Sequence, residues 1–293
     1  MPTQKDIRRK IAGVKSTQQI TRAMKMMSTA KLRRAMDRLN AMRFYLEKLE
    51  QMVGALCGAI DQPERHPILC PRTEIRSSGI ILITGDRGLC GSFNHDLIKQ
   101  TLQLLREREG KKCRLFLMGR KGYEYFRRRE SVTLGVDFFP GLLAHPDPEP
   151  IRLVAKNFLS FYRTGGIDEL LLVYTGSVSA LERRIFVKRV LPFDTGAMGH
   201  GAHHGQCHRF EFDPSPETIL NSLIPRYIEG MFFRGILESS SAEQSARMIA
   251  MGAATDRAEE MITDMTLQYN RIRQAAITTE LSEVIGGADA QAD

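Results

Sequence analysis

Apolar residues at the start of the chain recur in alternating steps of three and four. They fall at Ile7, Ile11 and Val14, and again at Leu32, Ala35, Leu39, Met42, Leu46, Leu49, Val53 and Leu56. That spacing predicts one long helix with a coiled-coil seam. At about 1.5 Å per residue, roughly 55 residues of it would reach ~80 Å. Between the two runs lies KSTQQITRAMKMMSTAKLRRA, residues 15–35, where the register lands on Gln18, Thr21, Lys25 and Ser28. The apolar side chains there, Ile20, Met24 and Met27, sit off the register. The seam is therefore expected to weaken and the apolar surface to rotate.

The far end of the chain repeats the pattern. Met251, Ala254, Ala258, Met261 or Ile262, Met265, Tyr269, Ile272 and Ala276 again step by three and four. Proline supports both helices: Pro2 is followed by none until Pro63, and none occurs after Pro225. Because proline breaks helix interiors, both terminal segments are free to be long. The second helix is expected from Thr218 to about Ile285, with Gly286 and Gly287 ending it and Gly230, Gly235 and Gly252 as weak points.

The middle of the chain changes period. SGIILITGD (78–86), KCRLFLMG (112–119), VTLGVDFF (132–139), DELLLVYTGSV (168–178) and RIFVKRVLPF (184–193) read as strands. HDLIKQTLQLLREREG (95–110), KGYEYFRRRE (121–130) and PIRLVAKNFLSFYRTGG (150–166) read as amphipathic helices. Alternation of this kind predicts a mainly parallel, helix-covered sheet. The last two strands, joined by a short link, form a hairpin at one edge.

Charge adds a second asymmetry. The net charge is +8, but residues 1–34 carry ten Lys/Arg against one acid, and residues 236–293 carry four Lys/Arg against ten acids. A basic start and an acidic end can lie side by side. The same basic start invites a nucleic-acid reading, yet no aromatic for base stacking precedes Phe44. Five Cys at irregular spacing (Cys57, Cys70, Cys90, Cys113 and Cys207) do not form a disulfide framework, which points to a reducing compartment. No uninterrupted apolar run is long enough to span a membrane, and neither a signal peptide nor a cleavable presequence is expected.

Candidate chemistry is sparse. GDRGLCGSFN (85–94) follows a strand and opens a helix, where phosphate loops sit. It lacks the Lys of a Walker loop and the full G-x-G-x-x-G of a dinucleotide fingerprint. A tight turn with Asp86 and Arg87 paired is the plainer reading. Cys90 is a reactive-thiol candidate or a small packing residue. GHGAHHGQCH (199–208) holds His200, His203, His204, Cys207 and His208, which could take Zn or Ni, although its glycines argue for a floppy loop.

Three stretches carry a resemblance: IRRKIAGVKSTQQITRAMKMMSTAKLRRA near the start, ITGDRGLCGSFN in the middle, and ARMIAMGAATDRAEEMITDMTLQYNRIRQAAITTELSEVIGGA at the end. FEFDPSPETILNSLIPRYIEG (210–230) fits as well. The chain resembles the gamma subunits of F-type ATP synthases over nearly its whole length. The resemblance implies an α/β fold class in which the N- and C-terminal helices form a long antiparallel coiled coil beside a small Rossmann-like domain. The expected division is a shaft helix at 1–62, the α/β domain at 74–198, a His/Gly-rich loop at 199–212, a second shaft helix at 213–287 and a tail at 288–293.

It also implies a non-catalytic rotor that couples ion flow to ATP synthesis or hydrolysis, with catalytic sites on the beta subunits. No cofactor, metal or nucleic acid is expected. The implied partners are the alpha and beta subunits in a ring around the shaft, the epsilon subunit and the membrane c-ring. The implied location is the cytoplasmic face of a bacterial inner membrane. Met24, Lys25 and Met27 would face the ring's collar, and Arg273, Gln274, Thr278 and Glu280 would contact the ring near the tip. The Met24 region is expected to pair with the Met265 region. Gly252 stands where relatives often carry a polar residue, and it is expected to loosen the shaft. The alternatives by composition are a nucleotide-binding α/β enzyme and a nucleic-acid-binding coiled coil.

Overall fold

A computed structural model describes residues 3–60, 68–69, 74–127, 135–144, 146–177, 183–193, 213 and 215–292. Its elements run α1 (Gln4–Ala59), β1 (Ser77–Ile83), α2 (Phe93–Glu107), β2 (Lys112–Met118), α3 (Arg120–Phe126), β3 (Val136–Phe139), α4 (Pro148–Arg163), β4 (Glu169–Ser177), β5 (Arg183–Leu191) and α5 (Pro216–Ala292). Two compact units divide the chain: residues 1–28 with 247–293, and residues 29–246.

The larger unit holds a five-stranded sheet in the order β3-β2-β1-β4-β5. The first four strands are parallel, and β5 returns antiparallel to β4 at the edge. The apolar runs explain the arrangement. Ile80, Ile81, Leu82 and Ile83 are wholly buried, as expected for a central strand covered on both faces. One face packs on α2 and α3 through Ile80, Leu82, Leu97 and Phe126. The other packs on α4 and on the parts of α1 and α5 in this unit, through Ile81, Ile83, Leu49, Val53, Phe158 and Ile224. Gly230 and Gly235 are close-packing positions rather than weak points. A Cβ on Gly230 would lie 2.8 Å from Leu46 Cδ2, and one on Gly235 3.0 Å from Leu172 Cδ2.

The entry ends of β1 and β4 are pinned by acids. Asp168 Oδ2 accepts from the N–H groups of Arg76 and Ser77 and from Ser77 Oγ. Glu169 Oε1 accepts from Arg108 Nε at 2.8 Å and from Ser78 Oγ at 2.5 Å. Burial opposes the charge on Glu169, but the bonds from Arg108 and Ser78 outweigh it and hold its pKa below the ordinary value.

The smaller unit is an antiparallel pair formed by residues 4–28 of α1 and the 247–292 part of α5. Thr255 Oγ1 donates to Thr21 Oγ1 at 2.8 Å, and Gly252 faces the Lys25 stem, whose Cε lies 3.5 Å from where a Cβ would stand. These two contacts fix the register. Met24 therefore lies opposite the Gly252 region, about twelve residues from Met265, and not opposite Met265 itself.

The seam does not rotate in the 15–28 stretch either. Its covered positions continue through Gln18, Thr21, Met24 and Ser28, with Thr21 and Ser28 buried, while Ile20 and Met27 are exposed. Small hydroxyl residues hold the seam because their side chains can bond locally. Thr21 Oγ1 donates to the Gln18 carbonyl of its own helix and accepts from Thr255. On α5 the covered side is Ile262, while Met261 is exposed. The helix runs on through Gly286 and Gly287 to Ala292. Its backbone bonds continue there, and neither glycine adopts the positive φ that ends a helix.

Candidate functional surface

The turn at 85–94 is closed on itself. The Gly85 N–H donates to Asn94 Oδ1 at 2.8 Å, and Asn94 Nδ2 donates to the Arg87 carbonyl and to Cys90 Sγ. The Asp86 carboxylate accepts from the Arg120 N–H at 2.9 Å, so its partner is that backbone group rather than Arg87. Cys90 is 2% exposed and packs as a small apolar residue against the α2 face of the sheet. A Cβ on Gly85 would meet the buried carboxylate of Glu243 at 2.7 Å, so Gly85 is required for that close approach. An N–H that a phosphate would need is thus already engaged. Leu89 adopts φ 62°, an uncommon conformation for a residue with a Cβ, and displays its side chain to solvent.

Among the described residues no cluster of His, Cys, Asp or Glu could hold a metal. The His-rich stretch 199–208 lies outside them, as do Cys70 and Cys207. Cys57, Cys90 and Cys113 are buried free thiols.

The residues expected at partner contacts all lie on the helix pair. Met24 is half-buried on the seam, while Lys25, Met26 and Met27 are exposed beside it. Gly252 faces the Lys25 stem, and a Cβ there would make ordinary van der Waals contact with it.

Arg273, Gln274, Thr278 and Glu280 stand on exposed helix. The register explains why. Pairing Thr21 with Thr255 places Gln4, where α1 starts, opposite Ile272. From Arg273 onward α5 has outrun its partner helix, and every described side chain as far as Val284 is exposed. On this stretch Ile277, Leu281 and Val284 are 51%, 56% and 68% exposed. Their steps of four and three put them on one face. That uncovered apolar stripe lies in the stretch Ala275 to Ile285, whose apolar-rich character was legible in the sequence. Thr278 Oγ1 is turned inward to the Gln274 carbonyl of its own helix.

The distinguishing features are therefore the exposed, unpaired end of α5 in one unit and, in the other, an α/β domain whose phosphate-like turn has its Gly85 N–H already engaged. That defines a class: an antiparallel-helix subunit that works by contact. A family model described as ATP synthase matches residues 3–291, and the chain belongs to that family, among its gamma chains.

It is 42% identical to the ATP synthase gamma chain of Moorella thermoacetica and 41% identical to that of Desulfitobacterium hafniense, each alignment covering 99% of both chains. Its fold is similar to a chain of the Euglena gracilis mitochondrial ATP synthase, with a TM-score of 0.68 at 20% identity, covering 98% of this chain and 94% of that one. A chain of the Tetrahymena thermophila central stalk and c-ring matches with a TM-score of 0.61 at 23% identity, covering 80% of this chain and 99% of that one.

Proposed function

We propose that this chain is the central-stalk rotor subunit of an F-type ATP synthase. It carries no catalytic site of its own and couples ion flow in the membrane sector to ATP synthesis or hydrolysis on the beta subunits. The observation that carries this reading is the α5 tip beyond Ile272. It is solitary helix with an apolar stripe and polar neighbours, and a surface of that kind is built to be enclosed by something else. Alpha and beta subunits supply the enclosure as a ring, touching Arg273, Gln274, Thr278 and Glu280 near the tip and Met24, Lys25 and Met27 at the collar. The epsilon subunit and the c-ring engage the chain elsewhere.

Exposed methionines suit contact with successive partners, because the flexible thioether adapts to changing surfaces. Among the described residues no helix is long and apolar enough to cross a membrane. Attachment to the cytoplasmic face of a bacterial inner membrane is thus peripheral, through the complex.

Rotation is tested by tethering. In the assembled complex, a disulfide from Lys25→Cys to one beta subunit is expected to abolish multi-site ATP turnover, and reduction is expected to restore it. Full-rate ion pumping by the tethered complex would refute the rotor assignment.

A further inference from the structure

Within the larger unit, α5 crosses the carboxyl edge of the sheet. Phe232 and Ile236 lie in the core on the α4 face, while Ala242 and Ala246, further along the same helix, lie in the core on the α2 face. The crossing falls at the ends of β1 and β4, which stand side by side, with Leu82 paired to Val173. At these strands the chain changes direction across the sheet, since β2 and β3 lie on one side of β1 and β4 on the other. In doubly wound sheets that switch point is the crevice in which ligands bind. Here the chain's own helix fills it.

Three contacts make the filling specific. A Cβ on Gly85, just after β1, would stand 2.7 Å from Glu243 Oε1, and one on Gly176, near the end of β4, 2.6 Å from Glu238 Oε2. Beside Gly176, the Thr175 N–H donates to Ser239 Oγ at 3.2 Å. Each switch-point strand thus ends near a glycine that admits a carboxylate of α5 onto bare backbone, as the glycines of nucleotide-binding turns admit a phosphate. Glu238 is balanced by Arg234, whose Nε lies 2.7 Å from Oε1. Glu243 is 6% exposed, a depth at which a charge is held only where its surroundings favour it.

We propose that α5 is the built-in ligand of this crevice. The Glu243 carboxylate takes the seat of an external anion and sets the 85–94 turn, and removing that side chain opens the seat to small carboxylates. Glu243 is thus a positioning residue for the turn. None of the proposed ring contacts takes part, so this role is independent of the rotor reading.

Hydrogen exchange on the full-length chain tests it. In Glu243→Ala the 85–94 amides are expected to exchange at least about tenfold faster, the size expected for losing a charged hydrogen-bonding partner. Peptides from the centres of β1 and β4 should be unchanged. Acetate, compared with chloride at the same concentration, should slow the 85–94 amides of Glu243→Ala and leave the wild type unaffected. Glu243→Gln keeps the shape and loses the charge, so its turn should exchange faster than wild type and ignore acetate, because the seat is filled. Wild-type exchange at 85–94 in Glu243→Ala, equal acceleration across the whole domain, or no response of that variant to acetate would overturn the proposal. Should Glu243→Ala fail to fold, wild-type exchange at 85–94 in Glu243→Gln would overturn it equally.

Discussion

Gly252→Ala isolates the effect of one atom on the helix pair. Glycine in a helix interior is less favourable than alanine by about 0.8–1.0 kcal/mol. The new methyl would sit 3.5 Å from Lys25 Cε and Nζ and 3.8 Å from Cδ, which is ordinary van der Waals contact with the far end of a flexible side chain. The propensity gain is therefore kept nearly whole, for a net stabilisation of about 0.5–1 kcal/mol. Local opening of α5 should become rarer by about two- to fivefold, since 1.4 kcal/mol corresponds to a factor of ten. Hydrogen exchange read on peptides spanning 248–256 measures this directly. Those amides should slow by that factor, while peptides from β1 and β4 stay unchanged. Faster exchange at 248–256 would mean that the methyl displaces Lys25 at a real cost, and the reading of this approach as ordinary contact would be wrong.

Glu169→Gln should cost about 3 kcal/mol in urea unfolding, because it leaves the Arg108 charge without its buried partner. The Glu169 carboxyl has a lowered pKa, so its contribution is present above the unfolded value and is lost as pH falls through the folded one. The difference between wild type and Glu169→Gln should shrink in acid, and a gap unchanged at low pH would refute the pairing. Gly119→Ala should abolish soluble expression or cost 3 kcal/mol or more. Its φ is 108°, and the new Cβ would lie 1.9 Å from the Thr84 carbonyl oxygen, with backbone strain alone costing about 1–3 kcal/mol. Arg273→Ala with Gln274→Ala should leave assembly intact but lower both ATP hydrolysis by the complex and ATP-driven ion pumping. Losing a charged hydrogen bond costs about 1.5–3 kcal/mol. Unchanged coupled activity would remove these two residues from the contact set.

The elements most legible in the sequence are those whose burial is apolar throughout. Ile80–Ile83 and Leu170–Val173 could be read as central strands because nothing polar interrupts them. The seam between Gln18 and Ser28 was misread for the opposite reason. A hydropathy pattern gives Thr21 and Ser28 no weight, yet they are buried, and the apolar Ile20 and Met27 stand in solvent. The register of the helix pair was equally hidden, since every step of three or four offers another in-phase alignment. Only the particular meeting of Thr21 with Thr255 and of Lys25 with Gly252 selects one. Glycines misled in the same direction. Gly230 and Gly235 look like flaws when only propensity is counted, but each lies where a neighbouring side chain would crowd a Cβ.

The solitary end of α5 also bears on how the cell must supply this protein. Ile277, Leu281 and Val284 lie on one face of an unpaired helix, and an uncovered stripe of that kind promotes self-association. Copies made in excess of their enclosing subunits would carry that face bare, open to clumping and to proteases. Balanced synthesis, or prompt capture by a ring as it forms, is then a requirement written into the last turns of the chain.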